Sequence, residues 1–272
     1  MSFKKIGAIV AAAALALSLS ACGGGSSTNL QALKIGIKFD QPGLGLNEGG
    51  KFTGFDVDVA TYIAGKLGTT AEKITFIQAP SAQRETLIDT GQVDLVVATY
   101  SITDARKEKV SFAGPYFIAG QDLLIRADDT SITGPDALAG KTLCSVTGST
   151  SAQKVKEKYP DVQLREFGTY SECVGALLAK GVDALTTDDT ILAGYAAQAA
   201  NVGKLKVVGQ PFSTENYGVG LKKGNLELCN KVTDAIKAMI SDGSWQKFVD
   251  ANLGPAGYKP GEGNPPTPAA CS

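Results

Sequence analysis

Gly54-Phe55-Asp56-Val57-Asp58-Val59-Ala60, continuing through Ile63 and Ala64 to Leu67, predicts a helix over 55–67. Its apolar residues return at helical spacing, and Asp56 and Asp58 put negative charge in the first turn, where the helix dipole favours it. Apolar, β-branched runs at 33–39 and 73–77 flank it, so the local order is strand, helix, strand. That order builds parallel sheet with a crossover helix.

The alternation continues outward. Short apolar runs at 94–99, 123–125, 141–146, 182–186 and 205–208 predict strands, and helical spacing covers 82–90, 151–158, 171–180, 190–200 and 226–242. In the last of these, Leu226, Val232, Ala235, Ile236 and Met239 share a face. The pattern runs twice, across 33–115 and again across 141–208, as a repeat of architecture rather than of sequence. One central sheet is possible at this length, but two lobes explain the doubling better, with the helix after Gly224 returning to the first. Two facing open α/β sheets place their strand-end loops around a shared cleft, where such folds bind ligands.

The N-terminus has a secretory pattern. Lys4 and Lys5 precede an apolar run from Ile6 to about Leu19, with small residues after it. Leu19-Ser20-Ala21-Cys22 resembles a bacterial lipobox, in which the thiol of Cys22 is lipidated and becomes the new first residue. The alternatives are an ordinary signal peptide and a membrane span, the latter disfavoured because the run is shorter than the ~20 residues needed. The expectation is a leader at 1–21, a Gly/Ser-containing tether at 22–31 and a lipid-anchored, extracytoplasmic body. At the far end, 254–268 is rich in Pro and Gly and predicts irregular structure.

The 272 residues carry 32 glycines, 19% charged residues and a net charge of −1. Loss of Lys4 and Lys5 with the leader leaves the body more acidic still. A chain without basic blocks argues against nucleic acid as a partner. Histidine is absent, which removes Ser-His-Asp and Cys-His catalysis and the commonest metal ligand; no cofactor or metal is expected. Besides Cys22 there are Cys144, Cys173, Cys229 and Cys271, with no CxxC spacing. In an oxidising compartment these predict two disulfides. Three pairings exist; Cys144–Cys173 with Cys229–Cys271 is favoured because each bridge then stays within one stretch of chain.

Taken in order, several strings resemble the bacterial extracellular solute-binding proteins of family 3, receptors of ABC importers for polar amino acids. They are Gly54–Leu67; Gly91-Gln92-Val93-Asp94-Leu95; Ser101-Ile102-Thr103-Asp104-Ala105-Arg106; Phe112-Ala113-Gly114-Pro115-Tyr116; Gly181-Val182-Asp183-Ala184 with Asp188 beyond; and Asp242-Gly243-Ser244-Trp245. The resemblance covers nearly all of 32–254 and looks closest to actinobacterial glutamate-binding lipoproteins. It implies a type II periplasmic-binding-protein-like fold, α/β, with two lobes of open, mostly parallel sheets. Lobe 1 would comprise 32–115 and 219–272, lobe 2 would comprise 121–213, and 116–120 and 214–218 would be hinges. It also implies partners: an amino-acid ligand, membrane permease subunits and their cytoplasmic ATPase, with the receptor itself a monomer.

The resemblance assigns residues as well. Arg106 matches the clamp on the ligand's α-carboxylate, helped by Ser101 and Thr150; guanidinium meets carboxylate through two parallel hydrogen bonds. Asp188 matches the acceptor of the α-ammonium and Thr99 a further acceptor, with Asp189 an adjacent rival for Asp188. Each has an ordinary structural alternative: Arg106 in a surface ion pair with Asp104, or Asp188 and Asp189 capping the next helix. Arg84 and Lys38 match basic contacts to an acidic side chain, which favours glutamate over glutamine, aspartate or asparagine. Phe39 and Tyr100 flank the expected cleft. An enzyme on the same scaffold, such as a cyclohexadienyl-dehydratase-like lyase, is the rival from another class. It lacks an obvious proton-transfer group, because Asp188 would be committed to the ammonium.

Overall fold

The structure, a computed structural model, describes residues 32–272. The expected leader, Cys22 and the tether lie outside the described residues. Among the described residues no helix is long and apolar enough to cross a membrane.

The strands are β1 (Leu33–Ile37), β2 (Asp40–Gln41), β3 (Gly45–Glu48), β4 (Lys51–Thr53), β5 (Ile74–Gln78), β6 (Leu95–Val96), β7 (Val110–Ala119), β8 (Gln121–Arg126), β9 (Thr142–Val146), β10 (Gln163–Phe167), β11 (Ala184–Asp188), β12 (Leu205–Val207) and β13 (Glu215–Lys222). The helices are α1 (Phe55–Lys66), α2 (Arg84–Asp89), α3 (Asp104–Lys107), α4 (Thr150–Lys158), α5 (Tyr170–Leu178), α6 (Asp189–Ala197), α7 (Leu226–Ser241) and α8 (Ser244–Asn252). One sheet has the order β5-β1-β6-β13-β7, a second β10-β9-β11-β8-β12, and β2-β3-β4 form a small third.

Each large sheet has three parallel strands, centred on β1 or β9, joined to an antiparallel pair, β13/β7 or β8/β12. The α/β expectation holds, while the sheets are more mixed than a simple strand-helix repeat implies. The chain leaves the first sheet at the end of β7 and enters the second at β8 after Gly120 alone. It returns between β12 and β13. Both passages use the antiparallel strands, which need no crossover helix.

α1 shows why its sequence is so particular. Gly54 sits at φ 123°, and a Cβ there would lie 2.2 Å from the Leu44 carbonyl oxygen, so only glycine fits. Asp56 is fully buried; it accepts from the Tyr116 hydroxyl at 2.7 Å and from the Thr99 amide at 2.8 Å. Burial pushes its carboxyl up to about 6, against the pull of those two donors. The Thr99 amide is worth holding, because Thr99 has φ 46°, a strained conformation for a β-branched residue. That turn also explains why the strand expected over 94–99 ends at Val96. Asp56 is therefore a strut under a loop rather than a dipole ornament.

An aromatic cluster surrounds the first passage: Phe117 stacks on Trp245 and Tyr217, and Trp245 Nε1 donates to the Tyr116 carbonyl at 2.8 Å. Disulfides join Cys144 to Cys173, between β9 and α5, and Cys229 to Cys271, between α7 and the tail. Loops of this size contribute about 3–4 kcal/mol each in the chain-entropy account. The tail is irregular, as expected, yet firmly placed. Asn264 accepts from the Ile118 amide at 3.0 Å and donates to its carbonyl at 2.7 Å, and Ala269 and Ser272 pair with Gly114 and Phe112 of β7.

Asp56→Ala leaves a buried hydroxyl and a buried amide without acceptors, each costing about 1–3 kcal/mol. Urea unfolding should show a loss of about 2–5 kcal/mol, and a change below 1 kcal/mol would remove the strut role assigned to Asp56.

Candidate functional site

The loops at the ends of the parallel strands meet between the two lobes around a tight cavity of about 10 Å³, roughly the room of one water molecule. Ser81, Arg84, Thr99 and Arg106 line it from the first lobe; Ser149, Thr150, Ser151, Tyr170, Asp188 and Ile191 line it from the second. Its volume lies below the ~300–1,000 Å³ typical of sites for drug-sized ligands, and its lining is polar.

Arg106 sits on the short helix α3, whose N-cap Thr103 accepts from the Arg106 amide. Its Nη1 donates to the Ser101 carbonyl at 2.8 Å, its Nη2 reaches across to the Gly148 carbonyl at 3.1 Å, and its Nε faces Glu85 at 3.4 Å. The expected surface alternative, pairing with Asp104, does not occur: Asp104 faces Lys107. Arg84 is buried on α2 with Nε donating to the Ala79 carbonyl at 3.3 Å. Among the described residues no carboxylate lies within ion-pair distance of it. Both guanidiniums lie over the ring of Tyr100, at 4.8 Å for Arg106 and 5.1 Å for Arg84. Burial and the neighbouring Arg106 charge lower the Arg84 pKa. The first-lobe wall is thus strongly cationic.

The second-lobe wall supplies amides and one acid. Ser149 caps α4, its hydroxyl accepting from the Ala152 amide at 3.0 Å. The amides of Thr150 and Ser151, first in that helix, have no acceptor among the described residues, so they are free for an anion. Gly148 precedes them at φ 78°, and a Cβ there would meet Ala82 of the first lobe at 2.7–2.9 Å. Asp188 ends β11. Its Oδ2 accepts from the Tyr217 hydroxyl at 2.6 Å, while its Oδ1 is buried and unpartnered. Burial, followed by the charge of Glu215, drives the Asp188 carboxyl well above the usual carboxylate range. A cation entering the cavity finds this oxygen waiting.

Asp189 points elsewhere, accepting from the Gly120 and Thr190 amides and from the Tyr258 hydroxyl. Of the seven residues expected at a ligand, Arg84, Thr99, Arg106, Thr150 and Asp188 line the cavity together. Ser101 adjoins it through its 3.4 Å contact with the Thr150 hydroxyl. Lys38 is set back: it pairs with Asp40 at 3.5 Å and lies 5.5 Å from the Tyr170 ring centroid. Burial lowers its pKa to about 8, with Asp40 opposing the shift. Tyr100 lies under the two arginines, while Phe39 packs on Phe52 away from the cavity lining.

Three residues at the cavity or at the contacts between the lobes escaped the sequence reading. Tyr170 lines the cavity from the start of α5. Asp40, on the first lobe, accepts from the Tyr170 amide at 3.0 Å and from the Tyr195 hydroxyl, both on the second. Gly194 gives α6 room to meet the first lobe, since a Cβ there would sit 2.1 Å from the Pro42 carbonyl oxygen.

Comparison with known proteins agrees with this architecture. The family model for "Bacterial extracellular solute-binding proteins, family 3" matches residues 33–255. "Glutamate-binding protein GluB" of Corynebacterium glutamicum is 46% identical over 283 residues, covering 97% of this chain and 95% of that protein. "ABC transporter glutamine-binding protein GlnH" of Bacillus subtilis is 36% identical over 216 residues, covering 79% of this chain and 78% of that one. A solved ancestral arginine-binding protein bound to glutamine superposes with a TM-score of 0.76 at 36% identity, covering 82% of this chain and 98% of the other. The matches span both lobes and the cavity between them: the chain belongs to the bacterial extracellular solute-binding proteins of family 3, as a binding protein and not an enzyme.

Proposed function

We propose that the chain is the receptor of an ABC importer for an acidic amino acid, L-glutamate, anchored outside the cytoplasm by a lipid on Cys22. The observation that carries this reading is charge placement: two buried arginines face the unpartnered Asp188 oxygen across one small cavity. An α-amino acid zwitterion needs a planar donor for its carboxylate and an acceptor for its ammonium. Arg106, with the free amides of Thr150 and Ser151, meets the first need; Asp188 and the Thr99 hydroxyl meet the second. Arg84, without a carboxylate of its own, is left for the distal carboxylate of glutamate. The name of the 46% identical relative supports the same ligand.

In this reading the ligand first binds lobe 1 (32–115 and 219–272), and lobe 2 (121–213) then closes on it about 116–120 and 214–218. The ligand stabilises the closed form through contacts available only there. A monomeric closed receptor would then dock on the permease subunits coupled to a cytoplasmic ATPase. Glutamine is the second reading, because Asp40 already neutralises Lys38 and leaves Arg84 as the one cation for a distal group.

Calorimetry with an amino-acid panel decides between them, with glutamate expected to bind tightest. Arg106→Ala should weaken every ligand about 100-fold, since charge-assisted hydrogen bonds contribute about 1.5–3 kcal/mol each. Arg84→Ala should weaken glutamate about 10–100-fold and glutamine much less; equal losses for both would sink the acidic-ligand reading.

A pH titration tests Asp188. Its acid is raised in the ligand-free protein, whereas pairing with an ammonium needs the ionised form, so binding expels a proton. Affinity should therefore fall as pH drops through the raised pKa, above the range of an ordinary carboxylate. Asp188→Asn should bind weakly with a flat profile, and an unchanged slope in that variant would reassign the ammonium partner.

A further inference from the structure

We propose that Glu215 is a positioning residue of the ligand site: it takes the single hydroxyl proton of Thr150, so that Thr150 serves an anion through its main-chain amide rather than its side chain. The inference rests on the receptor reading above and refines it.

Glu215 opens β13, opposite Ala119 of β7, where the chain passes back between the lobes, and it is 1% exposed. Its Oε2 lies 3.1 Å from the Thr150 hydroxyl, while its Oε1 takes Lys154 Nζ and, at 2.7 Å, the Ser213 hydroxyl. Thr150 and Lys154 are one turn apart on α4 and so share a face. Both are turned onto the one carboxylate. Lys154 and Ser213 both donate to one oxygen of this carboxylate, and the Thr150 O–H donates to its other oxygen.

A hydroxyl has one proton. With that proton committed, Thr150 Oγ1 offers only lone pairs to the rest of its surroundings, and Ser101 Oγ, 3.4 Å away on the other lobe, becomes the donor to it. The result is a one-way chain, Ser101 to Thr150 to Glu215, that crosses the cleft beside the cavity. It also fixes the first turn of α4, whose Thr150 and Ser151 line the same cavity as Arg106. The resemblance made Thr150 a helper of the carboxylate clamp; in this proposal it is the backbone amide that helps.

The test measures ligand affinity calorimetrically for the wild type and for Glu215→Gln, Glu215→Leu with Lys154→Met, Thr150→Val, Thr150→Ser, and Thr150→Val with Glu215→Gln. In Glu215→Gln the amide oxygen stays with Lys154 and the NH2 group turns to Thr150, which reverses the chain, so this variant should bind about 10–100-fold more weakly. Glu215→Leu with Lys154→Met keeps neutrality and has no acceptor for the Thr150 hydroxyl, and that double variant should stay weak. Thr150→Val should also be weak, Thr150→Ser should recover most of the loss, and Thr150→Val with Glu215→Gln should lose little beyond Thr150→Val alone. Restored binding in the Lys154 double variant, or fully additive losses at 150 and 215, overturns the positioning role. A wild type that takes glutamine and not glutamate sinks the acidic-ligand reading alone. Variants equal to wild type for whichever ligand it takes sink this role alone.

Discussion

Two guanidiniums buried over the same tyrosine ring set the terms for everything around them. Like charges removed from water repel with little screening, and the Tyr100 face relieves only part of that. Arg106 is further calmed by two carbonyls and Glu85; Arg84 has one carbonyl and no carboxylate. In the proposed receptor the first-lobe wall would meet arriving negative charge, and the second-lobe wall of free amides and one acid would complement a zwitterion. The Asp56 strut, the strained turn at Thr99 and the cap on α4 all serve to hold those groups at fixed positions.

The approach of the lobes is equally constrained. Gly148 meets Ala82 and Gly194 meets Pro42 with no space for a methyl group, and Asp40 reaches from one lobe to the start of a helix on the other. The side chains that line the cavity are themselves buried, so whatever occupies it is screened from water. Low local dielectric then strengthens each ion–ion contact inside. In the proposed receptor, selectivity and closure are two outcomes of one arrangement.

Much of this was legible in the sequence, for reasons that are local. α1 shows itself through periodicity and Gly54, and Arg106 through the capped turn Thr103–Arg106. Asp188 and Asp189 part company because neighbouring residues at a strand end face opposite sides; spacing from Asp183 picked the one that faces the cavity. Strands β7 and β13 went unread because Gly114-Pro115 and the glycines at 218 and 220 break the usual pattern. Those two glycines exist for Ile102 and Tyr100, which would strike any side chain there. Lys38 stands back from the cavity lining because it pairs with Asp40, which the opposite lobe engages. Glu215, Tyr170 and Asp40 act across elements far apart in the chain, and no local signal marks such residues.

The tail has a further effect. β7 is the outermost strand of its sheet, and an outermost strand presents unpaired amides and carbonyls to any passing chain. Ala269 and Ser272 occupy those groups at Gly114 and Phe112, and the bond from Cys271 to Cys229 keeps them in place. The disulfide therefore doubles as protection against edge-to-edge aggregation.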